Sequence, residues 1–340
     1  MPTETGPYDE ALERFHETGP EREGWLSNHG PMVAEALTRL GRGDQVHSWS
    51  DRYLARLEDV PRGIEPIRAE AWRDPLGDPL RTGDWITFFL QQVEQHPWQD
   101  LLVQWWPRLL PGIAAGATHG VIRVGHAVRA LRVLETEPRR QELAHALAYW
   151  AARWQPIPVV HSTGERDASA AVAAVPQVVQ QEFGIRSRIA QLPDTAGWAG
   201  AVASLSPPAA DSAVPDALDE LVDAVLAHYA SHAHGNPTML VHAATAPNAV
   251  AQTLPSLPQS LWRQSFETAW SATAAVLAAY SPTDKRAMPA PGTSADVLER
   301  ALQHAGEHVI KLADTALLAH ERSSDPRALS AVAAAIELDA

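Results

Sequence analysis

The chain has 340 residues, 45% of them hydrophobic and 20% charged, so it can bury a large core and is compositionally an ordinary globular protein. Its formal net charge of −14 repels phosphate backbones and anionic lipid, which argues against nucleic-acid and membrane-surface partners. Cysteine is absent, which removes disulfides, thiolate metal sites and thiol nucleophiles and leaves fifteen histidines and the carboxylates as the ordinary metal donors.

The acidic start MPTETGPYDEALERF has neither the basic nor the apolar region of a signal peptide, and no apolar run approaches the roughly 18–20 residues that span a bilayer. A soluble cytoplasmic protein is the expectation. Apolar residues at three- and four-residue spacing predict helices over 32–40, 84–93, 98–110, 121–134, 141–154, 216–230, 261–280 and 295–319. Ala, Leu, Arg and Glu dominate these segments, all good helix formers. IPVVH at 157–161 and TMLVH at 238–242 are the most strand-like runs, each short enough to be a buried turn of helix instead. Residues 155–215, rich in Pro, Ala, Ser and Gly, predict a long connection with one or two small helices, and SPTDKRAMPAPGTS at 281–294 predicts a mobile loop. The expected fold is all-α, a single large helical domain over 1–340 with a long irregular connection at about 155–215.

Several chemistries have no motif here. There is no G-x-x-x-x-G-K-[ST] loop, and GRGDQV lacks both the third glycine of a dinucleotide fingerprint and a preceding strand, so no Rossmann-bound NAD(P) and no flavin are expected. G-x-S-x-G and H-E-x-x-H are also absent. Twelve tryptophans are present, with Trp72, Trp85, Trp98, Trp105 and Trp106 grouped in one stretch. They fit either ordinary helix packing or an aromatic-walled pocket for a flat substrate.

Histidine carries the remaining chemistry. His119 and His126, in THGVIRVGHAVRALRVL, lie two helical turns apart on one face, about 10 Å along the axis. That is wide for a ligand pair on one helix, so they either grip one ion from opposite sides or serve the helix structurally. His304, His308, Lys311 and Asp314 fall on one predicted stripe, which is either a solvated face or a row of ligands. Only two of the 27 basic residues are lysine, Lys285 and Lys311. Buried lysine can lose its proton and add CO2 to become a carboxylated, metal-binding side chain, which arginine cannot do. His228, His232 and His234 sit where a helix ends before Gly235 and Pro237, a position that favours a structural or surface role. His29 and His242 stand beside small residues that let a ligand approach closely.

YDEALERF, LSNHGPMVAEALTRLG, PGIAAGATHGVIRVGHAVRAL, LVHAATAP and EHVIKLADTAL, in that order, resemble the questin oxidase family over almost the whole chain. Members of that family act in polyketide pathways and oxidatively open the central ring of anthraquinones, in a Baeyer-Villiger type reaction dependent on NADPH. One branch is a non-haem iron dioxygenase whose metal is held by four histidines and a carboxylated lysine. The resemblance implies Lys311 as the modified lysine and His29, His119, His126, His242 and His308 as five candidates for four histidine places. It implies Fe(II), with NADPH as a further cofactor, and O2 and a small aromatic substrate as partners in secondary metabolism. Trp25, four residues before His29, and Trp105 and Trp106 are the candidate walls for fused rings. Two other functions fit the same residues: a hydrolase whose carboxylated-lysine site holds zinc and activates water, and a noncatalytic helical protein that binds an aromatic metabolite through its tryptophans. No residue is assigned as catalytic, and the oligomeric state stays open.

Overall fold

A computed structural model describes residues 6–338, so the first residues of the acidic start lie outside the described set. The protein is all-α: sixteen α-helices and one pair of two-residue strands are present among the described residues. It divides into two compact units, Met1–Pro156 with Pro255–Leu257, and Ile157–Leu254 with Pro258–Ala340. No helix among the described residues is long and apolar enough to cross a membrane.

The first unit contains α1 (Pro7–His16), α2 (Gly30–Arg39), α3 (Val46–Leu54), α4 (Thr82–Gln95), α5 (Trp98–Leu109), α6 (His119–Val133) and α7 (Glu137–Ala152). Proline stands in the first turn of α1, α2 and α7, where its missing N–H costs nothing. Between α1 and α2 a short hairpin pairs β1 (Glu21–Arg22) with β2 (Leu26–Ser27). Helix α7 is buried along most of its length because it packs against α4, α6 and α1, and α6 also packs against α2. A helix surrounded in this way is apolar on all sides, which explains the small residues and aromatics of ELAHALAYWAA.

The second unit contains α8 (Ala168–Ala173), α9 (Ile185–Ile189), α10 (Trp198–Ala203), α11 (Val214–His232), α12 (Pro237–Thr253), α13 (Trp262–Tyr280), α14 (Ser294–His304), α15 (Glu307–Ser323) and α16 (Pro326–Leu338). Helix α12 packs on α11, α13 and α15, and α16 packs on α11 and α15. The strand-like TMLVH is helical because Asn236 caps α12, accepting the Met239 N–H at 2.9 Å, and Pro237 opens its first turn. IPVVH forms no strand. The connection 155–215 holds three short helices, α8 to α10, where one or two were expected. The helix expected over 295–319 is broken at Ala305, whose φ of 61° is left-handed, so α14 ends and α15 starts afresh at Glu307. His304 therefore leaves the stripe that carries His308, Lys311 and Asp314.

Two buried carboxylates hold α6 in place. Arg123 donates from Nε and Nη2 to the two Glu142 oxygens at 2.6 and 2.8 Å, and His16 Nε2 lies 3.0 Å from Glu142 Oε2. On the neighbouring face, Arg129 donates from Nε to Glu35 Oε1 at 2.8 Å and from Nη2 to Oε2. Burial by itself raises both carboxyls, but the guanidiniums and the neighbouring histidines outweigh it and hold each at about 2. Such depressed groups contribute stability that is complete above the ordinary glutamate range and is lost as pH falls toward 2. Denaturant midpoints measured at descending pH are expected to drop over that window, and a flat profile contradicts the pairing. Glu142→Ala strands Arg123 as a buried unpaired charge and is expected to cost about 3–5 kcal/mol in urea unfolding.

Candidate metal centre

In the first unit, His29 is placed by a locked helix start. The Asn28 side-chain oxygen accepts the Gly30 N–H at 2.8 Å, and its amide donates to the Gly19 carbonyl at 3.1 Å. Gly30 lies against the Phe15 ring, leaving no room for a Cβ. The His29 backbone N–H donates to the Tyr53 hydroxyl at 2.9 Å, and the side chain is buried.

His119 begins α6 after an unusual turn. Gly116, Ala117 and Thr118 are all left-handed, with φ of 52°, 58° and 70°. For Ala117 and Thr118 this conformation costs about 1–2 kcal/mol each, and a β-branched residue is especially rare there. The turn puts the Gly116 carbonyl 2.5 Å from His119 Nδ1. A carbonyl only accepts, so Nδ1 carries a proton, and in the neutral ring the lone pair is then on Nε2. The His29 and His119 rings then lie 4.5 Å apart between centroids, tilted by 33°.

His126 stands two turns further along α6. Its Nδ1 is 2.7 Å from Glu35 Oε2, on the carboxylate that Arg129 also holds. The two helices thus present His29 and His119 at their starts, and Glu35 and His126 six and seven residues later. Glu35 and Arg129 were not singled out from the sequence. A lone acid inside the apolar run MVAEAL is the signal that points to the first.

In the second unit, His242 on α12 and His308 on α15 face each other edge-on, with centroids 5.4 Å apart and planes at 81°. His242 Nδ1 donates to the Met239 carbonyl at 3.1 Å, which again leaves Nε2 with the lone pair. Burial, helped by the Lys311 charge, pushes the His242 imidazolium down to about 3, so this ring is neutral over the physiological range. Lys311 is 1% exposed and its Nζ has no hydrogen-bond partner among the described residues. Burial pushes its ammonium down to about 7, with only the Glu307 charge opposing. The neutral His242 imidazole suits a divalent metal, and a buried amine that is partly unprotonated near neutrality suits addition of CO2. The donors within each unit are therefore of the chemical kind that the metal and the carboxylated lysine of the family resemblance need.

The remaining residues fall elsewhere. His228 and His232 stack at 3.8 Å, with His228 Nε2 2.7 Å from Ser281 Oγ, and His234 lies 3.4 Å from Asp284. Those contacts tie the start of the 281–293 loop to the end of α11. Lys285 is exposed in that loop. Trp105 is buried edge-to-face among Trp72, Trp85, Phe88 and Phe89, and Trp106 packs on Trp150. Trp25 is 67% exposed at the hairpin tip.

A family model described as questin oxidase-like matches residues 28–316. That span includes His29, His119, His126, His242, His308 and Lys311. No curated protein matches the chain.

Lys311 makes a pH prediction for the metal-free protein in CO2-free buffer. Its folded pKa of about 7 lies below the ordinary lysine value of 10.5, so between these limits the unfolded chain binds a proton that the folded one does not. Stability is expected to rise with pH across that window by up to about 1.4 kcal/mol per pH unit. Lys311→Met is expected to remove the slope and to raise the urea midpoint at pH below about 7; an unchanged slope shows that the amine is hydrated.

Proposed function

From the premise that this chain belongs to the questin oxidase-like family, we propose that it is a non-haem iron oxygenase acting on a fused-ring aromatic polyketide of anthraquinone or anthrone type. Family membership by itself points to an oxidoreductase at a coarser level. The observation that carries the finer proposal is Lys311: a nearly inaccessible lysine amine without a hydrogen-bond partner, on the same helix as His308 and inside the family-matched span. The candidate donors are His29 and His119 in the first unit, and His242, His308 and the carboxylated Lys311 in the second. His126 is the fifth candidate, its Nδ1 facing Glu35 Oε2 as His119 Nδ1 faces the Gly116 carbonyl.

Each residue has a definable task. The unprotonated Lys311 amine attacks CO2, forming an N–C bond and releasing one proton, which converts a buried amine into a hard anionic oxygen donor. The Gly116 and Met239 carbonyls each accept from Nδ1 and so fix the ring orientation and tautomer of His119 and His242. Burial of His29, His119 and His242 keeps bulk water from the imidazoles. These donors would hold iron(II), which would supply the redox chemistry that oxidation of an electron-rich ring by O2 needs. Trp25, exposed and four residues from His29, offers an indole face to the incoming aromatic substrate.

Elemental analysis of the purified protein tests this directly. Stoichiometric iron that is lost in Lys311→Ala, with O2 uptake in the presence of an anthraquinone, is the expected result. Parallel assays with and without NADPH distinguish a monooxygenase, which consumes two external electrons, from a dioxygenase. Bound zinc with no O2 uptake overturns the proposal in favour of a hydrolase. Trp25→Ala is expected to raise KM about 3- to 10-fold with kcat little changed, since an exposed side chain adds mainly ground-state binding.

A further inference from the structure

We infer that the left-handed turn Gly116–Ala117–Thr118 is a strained positioning device that sets the angle and tautomer of His119 for metal binding. It rests on the metal-centre proposal above.

Three observations converge on the turn. Two of its three residues are not glycine, and neither side chain compensates for the conformation: Ala117 has no polar group, and Thr118 Oγ1 is buried without a hydrogen-bond partner. The strain therefore has no local return and must be imposed by the surroundings. Those surroundings are rigid. Gly116 lies against the Tyr149 hydroxyl, so that a Cβ there collides with it, and Gly120, one residue after His119, lies against the Trp150 ring. The turn is thus clamped to α7 on both sides of His119.

The third observation is what the clamp achieves. Because residues 116–118 curl left-handed, the Gly116 carbonyl returns to the His119 ring, accepting from its Nδ1 and receiving its backbone N–H at 3.3 Å. A right-handed or extended path through these residues sends that carbonyl elsewhere and frees the ring to rotate and to exchange tautomers. Tyr149 couples the device to the other histidine of the pair: its hydroxyl is 2.6 Å from Ser27 Oγ, two residues before His29. One tyrosine therefore braces both segments that carry the His29 and His119 rings.

Strain that serves a site has a signature that distinguishes it from strain that is merely tolerated: relieving it stabilises the protein and weakens the site. Ala117→Gly and Thr118→Gly accept the left-handed conformation without penalty but no longer restrict the turn. Each is expected to raise the melting temperature of the metal-free protein by about 2–4 °C and to weaken iron(II) or cobalt(II) binding, read by chelator competition, by about 10-fold or more. Thr118→Asn, which tolerates the left-handed region while keeping a side chain, is expected to bind metal within about twofold of the parent. Nitrogen-15 NMR of the metal-free protein gives an independent readout: His119 protonated at Nδ1 alone in the parent, and a mixture of tautomers in the glycine variants.

Glycine variants that bind metal as tightly as the parent and keep a single His119 tautomer overturn the inference, whatever their melting temperatures. A parent protein that binds no metal overturns the metal-centre proposal instead, and the tautomer measurement then decides the role of the turn by itself.

Discussion

Two buried glutamates grip α6 on neighbouring faces, and the geometry of the first unit depends on that grip. Glu142 holds Arg123 from α7, and Glu35 holds Arg129 and His126 from α2. His16 extends the first of these contacts to α1. An ion taken out of water is tolerated only when its partner sits at hydrogen-bond distance, so each pair permits little sliding of one helix along another. The apolar contacts around α6 are non-directional and accept small shifts in register. The carboxylates do not. Helix α6 is consequently located along its axis as well as against its neighbours, and His119, its first residue, is located with it.

The second unit treats charge differently. Most buried carboxylates and guanidiniums on the α6 faces have charged partners, whereas Lys311 is just as buried and its amine has no hydrogen bond. Such a group destabilises the metal-free fold, because burial opposes its protonated form and the Glu307 charge offsets this only in part. Local rules are broken in this way most often where a site needs it. The left-handed turn before His119 is a second breach, of backbone preference rather than of solvation. The two irregularities stand in different units and beside different candidate ligands.

Much of the helical architecture was legible in residue spacing, because a helix buried on one or more faces repeats its apolar side chains at three and four residues. The spacing misled at the ends and breaks. TMLVH looks like a strand in isolation, and only the Asn236 cap with Pro237 after it marks a helix start. The break at Ala305 carried no strong signal at that residue, since alanine is the best helix former and yet is left-handed here. The site divides along the same line. His29, His119, His242, His308 and Lys311 stood out by residue type and by family resemblance, whereas Glu35 and Arg129 did not, because a charged residue on a helix is ordinarily a solvated one.

The sequence by itself determined the all-α class, the lack of thiol chemistry, the scarcity of lysine and the candidate donors, since these depend on composition and on contacts within a few residues. Only the tertiary structure decided which nitrogen of His119 and His242 faces a carbonyl, that His126 Nδ1 turns to a carboxylate, that His304 parts from the Lys311 helix, and that the Lys311 amine is buried with no hydrogen bond among the described residues. Those outcomes depend on groups dozens of residues distant in the chain, whose carbonyls, carboxylates and apolar walls set protonation and orientation only after the helices have packed.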